Sequence, residues 1–73
     1  MSLRDNLAAN LLRLRRERGL PQDQFAAKIG IHRTYLNHIE GRKRSPTIDV
    51  IEKIMVALNV EVSDLLGDPP KGS

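Results

Sequence analysis

A chain of 73 residues with one Phe, one Tyr, no Trp and no Cys can build one small domain with a core of Leu, Ile, Val and Ala, and it excludes disulfides and thiolate metal sites. No apolar run approaches the roughly 18 residues of a spanning helix, and no apolar leader opens the chain, so a soluble cytoplasmic protein with no membrane partner is expected. The net charge of +3 hides an asymmetry: Met1 to Arg44 carries ten Lys/Arg against four Asp/Glu, and Ser45 to Ser73 carries two against five. A basic half beside an acidic half suggests one face for a polyanion and another for a different contact.

In chain order, apolar spacing predicts helices throughout and no strand. The first helix is expected from Arg4 to Arg18, with Leu7, Leu11 and Leu14 on one face and Gly19 as its stop. The second runs from Gln22 to Ile29; Pro21 starts it, and Leu20 with Phe25 can form a hydrophobic staple. Gly30 permits a left-handed turn. The third covers Arg33 to Glu40, with His32 in the N-cap place and Ile31 and Leu36 as a second staple. After the loop "GRKRSP", Thr47 caps a fourth helix reaching Leu58, whose expected core stripe is Ile48, Ile51, Ile54, Met55 and Leu58. A short fifth helix, Val62 to Leu66, closes the domain at Gly67. The reading is an all-α compact bundle of five short helices over residues 1–67, followed by a disordered tail from Asp68 ("DPPKGS").

The twenty residues "QDQFAAKIGIHRTYLNHIEG" carry the most specific pattern. Apolar side chains fall at Phe25, Ile29, Ile31, Leu36 and Ile39, small Ala26 sits where two helices must approach, and Gly30 marks the reversal. Each position answers a separate steric demand of a helix-turn-helix. An ordinary helical hairpin would share the packing but not the basic setting.

From Leu11 to Leu66 the chain resembles the helix-turn-helix family of phage Cro and CI-type repressors and their bacterial relatives, the lambda repressor-like (XRE-like) DNA-binding domains. The tract "GLPQDQFAAKIGIHRTYLNHIEGRKRSPTIDVIEKIMVALNVEVSDLLG" carries the likeness. Its "RTYL" followed by "IE" is similar to controller proteins of restriction–modification systems. Two departures stand out: Pro21 where a Ser or Thr cap is usual, and Gly41 directly after Glu40, where the family more often has one residue between them.

The resemblance implies that the third helix lies in the major groove of double-stranded DNA. Arg33, Thr34, Asn37 and His38 then form a strip suited to base edges: Arg33 to guanine, Thr34 to a thymine methyl or a base, Asn37 to adenine, and His38 as donor or acceptor. Simple solvation stays open for Asn37. Tyr35 can reach a phosphate or a thymine methyl, or pack partly into the core. Backbone contacts are expected from Gln22, by family resemblance, and from the loop residues Arg42, Lys43 and Arg44, each of which can also be merely solvated. His32 can cap its helix or touch the DNA backbone. The resemblance further implies an ion pair between Arg15 and Glu40, in which Arg15 can still aim a donor at a phosphate; two unrelated surface charges are the alternative.

An enzyme is not expected. His32 and His38 are six residues apart, unlike the i, i+4 spacing of a helical metal site, and no phosphate-cradling glycine loop or nucleophile–His–Asp grouping is present. No metal, cofactor or small-molecule ligand is implied. The expected function is a homodimeric, sequence-specific DNA-binding transcriptional regulator on a palindromic operator, because one helix reads too few base pairs to discriminate alone. Val56, Val62 and Leu66 are the expected dimer contacts. The alternative is an antitoxin-type protein-binding module with secondary DNA binding.

Overall fold

The computed structural model describes residues 2–70, and five helices follow one another: α1 (Leu3–Glu17), α2 (Gln22–Ile29), α3 (Arg33–Glu40), α4 (Ile48–Leu58) and α5 (Val62–Leu66). No strand occurs among the described residues. Local chemistry explains most of the boundaries. The Ser2 hydroxyl accepts the Asp5 N–H at 3.1 Å and opens α1, while the Thr47 hydroxyl accepts the Val50 N–H at 3.3 Å and opens α4. At the start of α5 the Glu61 N–H donates to Asp64 Oδ2 at 2.8 Å. Pro21 leaves α2 without a side-chain cap.

The helices wrap one core. α1 packs against α3 and α5, α2 against α3 and α4, and α4 against α5. Phe25, Leu11, Leu36, Ile39, Ile54 and Leu65 are fully buried at its centre, with Leu7, Leu14, Ala26, Ile29, Ile51 and Leu58 around them. Leu20, Ile31, Tyr35, Met55 and Leu66 pack partly against this cluster. Each fully buried Leu, Ile or Phe side chain contributes about 1.5–3 kcal/mol relative to exposure.

Ile48 corrects the expected α4 stripe. It is the first residue of α4 and is 73% exposed, standing at the rim of an open cleft that it lines together with Leu3, Leu7, Ile51 and Leu66. Leu65 supplies a fully buried side chain from α5 in addition.

Two buried asparagines hold α5 in place. Asn10 Nδ2 donates to the carbonyls of Leu65 and Gly67, both at 2.8 Å. One turn earlier, Asn6 Nδ2 donates to the Leu66 carbonyl at 3.1 Å and approaches Asp68 Oδ1 at 3.4 Å. The last carbonyls of a helix have no partner within it, and α1 supplies partners here from its own side chains. Of the tail expected from Asp68, residues 68–70 carry no regular secondary structure, and Lys71 to Ser73 lie outside the described residues.

Candidate nucleic-acid interface

The turn between α2 and α3 is built on Gly30, which takes φ +90°, a left-handed conformation that a side chain would strain. The N–H groups of Gly30 and Ile31 both donate to the Ala26 carbonyl, at 2.8 and 3.0 Å, closing the reversal over a methyl group that is almost wholly buried. His32 then caps α3: its Nδ1 accepts the Thr34 N–H at 3.1 Å. Leu36 and Ile39 turn into the core, and Arg33, Thr34 and Asn37 face solvent. Tyr35 and His38 are half-buried. The structure thus brings Arg33, Thr34 and Asn37 onto an open face, with His38 at its partly covered margin.

Below this face lies a charged anchor. Arg15 on α1 meets Glu40 on α3 through two parallel bonds, Nε to Oε2 at 2.9 Å and Nη2 to Oε1 at 3.2 Å. The third guanidinium nitrogen, Nη1, donates to the Leu20 carbonyl at 3.1 Å. Glu40 keeps 6% of its side-chain surface and Arg15 18%, so the pair is largely sheltered. Gln22, the first residue of α2, joins it: its Nε2 donates to Glu40 Oε1 at 2.9 Å and to Asn37 Oδ1 at 3.2 Å. All three helices therefore converge on one carboxylate.

The loop after α3 follows an unusual course. Gly41 takes an ordinary negative φ of −85°, and Arg42 adopts the left-handed one, +64°. The left-handed residue thus stands two places after Glu40, where the resemblance would put a glycine. Backbone bonds hold this path, since the N–H groups of Lys43 and Arg44 both donate to the His38 carbonyl, at 2.8 and 3.3 Å. Arg4 Nε donates to Ser45 Oγ at 2.9 Å and ties the loop to α1. Arg42 Nε approaches Asp5 at 3.5 Å, Arg44 lies 5.9 Å from the Tyr35 ring centroid, and Lys43 is exposed.

Other cations serve the fold. Arg13 pairs with Glu17 at 3.0 Å, and Arg18 donates to the carbonyls of Leu14 and Leu58, both at 3.2 Å. Of the expected dimer contacts, Val56 is 82% exposed and Val62 about half exposed, whereas Leu66 is half-buried and packs against the core. Exposed Leu3 and Ile48 form a further apolar surface that sequence spacing did not distinguish. No group of His, Cys, Asp or Glu among the described residues could hold a metal ion, and none of the described helices is long and apolar enough to cross a membrane.

Residues 11–65, spanning the whole α2–turn–α3 unit and the helices that support it, match the family described as helix-turn-helix. The chain belongs to this family. It is similar to the HTH-type transcriptional regulator y4dJ of Sinorhizobium fredii, with 35% identity over 90% of this chain and 86% of the relative. It is also similar to the control protein C.MunI of Mycoplasma, with 40% identity over 84% of each chain. Among solved structures, the hypothetical transcription factor NHTF from Neisseria superposes with a TM-score of 0.85 at 34% identity, covering 93% of this chain and 78% of that one. The family is one of DNA-binding transcriptional regulators, and the superposition shows that the likeness extends to the fold. This helix-turn-helix protein is a DNA-binding regulator and not an enzyme.

Proposed function

We propose that the protein acts as a homodimer on a palindromic operator in double-stranded DNA, with α3 of each copy in the major groove. The observation that carries this reading is α3 itself. Its apolar face is sealed into the core by Leu36 and Ile39, and its outer face offers Arg33, Thr34 and Asn37 to anything that approaches. These side chains, with His38 at the margin, are donors and acceptors of the kind that read base edges. Lys43 and Arg44 follow the far end of α3, His32 stands at its start, and Gln22, on the first turn of α2, lies beside its last turns, so phosphates on both sides of the groove find partners. Arg42 and Tyr35 add backbone contacts at the loop, and Arg15 steadies α3 from behind through Glu40 while a remaining donor reaches a phosphate. Val56, Val62 and Leu66, on the acidic part of the chain, form the dimer contact.

Selection of bound duplexes from a random pool tests the proposal. The expected product is an inverted repeat with half-sites about one helical turn, roughly 34 Å, apart. Enrichment of a single unrepeated half-site would sink the palindromic reading, and a pool with no enriched sequence would sink specific recognition.

A further inference from the structure

Arg4 lies outside residues 11–65, the part of the chain that matches the family, yet the structure ties it to the loop that follows α3. Its Nε donates to Ser45 Oγ at 2.9 Å. A hydroxyl that accepts in this way keeps its own proton for another partner, and a guanidinium that has used Nε keeps the N–H groups of its two terminal nitrogens. Ser45 lines two clefts. One is the apolar cleft of Leu3, Leu7, Ile48, Ile51 and Leu66, whose side chains offer Arg4 no acceptor. The other has a volume of about 400 Å³ and is lined by Tyr35, Arg44 and Ser45. Here the Arg44 guanidinium stands 5.9 Å from the Tyr35 ring centroid. A guanidinium laid over a ring keeps its in-plane N–H groups free for a second partner. Asp5 is taken by Arg42, and among the described residues neither Arg4 nor Arg44 pairs with a carboxylate. One cation and two hydroxyls therefore line the opening, and a second cation stands behind Ser45. A phosphate fits such a set, because several oxygens on one charged centre can accept from hydroxyls and guanidinium groups together.

We propose that Tyr35, Arg44, Ser45 and Arg4 form a seat for one backbone phosphate of DNA, which brings the first turn of α1 into the interface. Ser45 sets the geometry: it takes Nε of Arg4 and turns its own proton toward the phosphate that the terminal nitrogens of Arg4 approach. Inorganic phosphate shares this chemistry. The opening adjoins the loop after α3, where a strand passes when α3 lies in the major groove, so DNA is the source. This inference rests on that placement, proposed above.

The test uses the full chain and copies of the selected operator in which one phosphate at a time is an uncharged methylphosphonate. Each is titrated at several salt concentrations with the unaltered protein, Arg4→Gln, Arg4→Lys, Ser45→Ala and Arg33→Ala, and melting curves verify folding. Arg4→Gln keeps a donor for Ser45 and loses the charge, so a residue that only ties the loop would leave the salt slope where it was. Instead Arg4→Gln should make the slope shallower by about one unit per half-site on operator and scrambled duplex alike, and Arg4→Lys should restore it. The unaltered protein should lose about tenfold in affinity at one symmetric phosphate. Arg4→Gln and Ser45→Ala should each lose clearly less there and stay sensitive at the other positions. An unchanged slope in Arg4→Gln, with full sensitivity at every phosphate, would make Arg4 a tie for the loop and overturn the inference. If inorganic phosphate shifts the amide signals of Tyr35 and Ser45 while no methylphosphonate near the loop weakens binding, the cleft takes the free anion and the inference falls. If Arg33→Ala relaxes a base pair and the Arg4 variants change nothing, α3 remains in the groove and this inference alone falls. If Arg33→Ala relaxes no pair and no methylphosphonate weakens binding, the placement of α3 fails and the inference goes with it.

Discussion

Glu40 accepts three side-chain hydrogen bonds, two from Arg15 and one from Gln22, in a position where its own side chain is 6% exposed. Removing such a carboxylate leaves a guanidinium facing only the Leu20 carbonyl. Glu40→Ala should therefore cost about 3 kcal/mol, the lower part of the range for broken buried pairs because Arg15 retains some contact with water. A urea or thermal melt measures it, and an unchanged melting temperature would show the pair to be energetically idle. The same variant should weaken DNA binding, since α3 loses its link to α1. Arg42 is the opposite case, a side chain on a backbone that would suit glycine. A non-glycine residue in the left-handed region costs about 1–2 kcal/mol, and the 3.5 Å approach to Asp5 is between exposed groups and offsets little of it. Arg42→Gly should raise stability by about 0.5–1 kcal/mol after the added freedom of the unfolded chain is subtracted. If Arg42 also touches the DNA backbone, the stabilised variant should bind DNA more weakly, and the two readouts will diverge.

At the level of the helices, α5 has five residues, too few to stand alone, and it is held by the buried Leu65 and by the two bonds from Asn10. Asn10→Ala leaves two carbonyls without their partner and should cost about 2 kcal/mol or more, read as a lower urea midpoint. A loss below about 0.5 kcal/mol would mean that water replaces the amide without penalty. α3 and the loop that follows it divide the work of binding, and two substitutions separate them. Arg33→Ala should cost about 1–3 kcal/mol per half-site on the operator and much less on scrambled duplex. Lys43→Ala should weaken both duplexes alike and make the salt slope shallower by about one unit per half-site. Equal losses for Arg33→Ala on both duplexes would make Arg33 a phosphate clamp and move α3 out of its proposed register.

The whole molecule measures 27 × 25 × 22 Å. Successive half-sites on one face of the duplex lie roughly 34 Å apart, so a single copy cannot place α3 in both. Two copies side by side can, and the exposed valines at positions 56 and 62 lie on the helices that carry the acidic part of the chain. Sedimentation at micromolar concentration should show a dimer. Val56→Glu should shift it to monomer without unfolding it, since Val56 is 82% exposed and the core does not depend on it. A strict monomer both free and on DNA would end the dimeric reading. With about eight phosphates neutralised per dimer, log K should fall with log salt at a slope of about −7. A slope near zero would deny the basic half its part in binding.

The sequence alone determined the number and order of the helices, most of their bounds to within a residue, and the main core positions of α1, α2 and α3. Pro21, Gly30, His32 and Gly67 act on their own neighbours within a few residues, and that is why Gln22–Ile29, Arg33–Glu40 and Val62–Leu66 are legible without a structure. The polar strip of α3 is legible for the same reason, since helical periodicity alone sets Arg33, Thr34 and Asn37 opposite Leu36 and Ile39. Tertiary structure decided the rest. An apolar stripe says that Ile48 shares a face with Ile51, but only the arrangement of the other helices buries Ile51 and leaves Ile48 at the rim. Nothing in the neighbouring sequence marks Asn6 and Asn10 as buried; α5 does, by bringing its terminal carbonyls against them. Gln22, Asn37 and Glu40 are separated by 15 and 18 residues of chain. Nothing local says that they share hydrogen atoms; the crossing of α2 over α3 does, because it is the closeness allowed by Ala26 and the turn at Gly30 that brings the amide to the carboxylate.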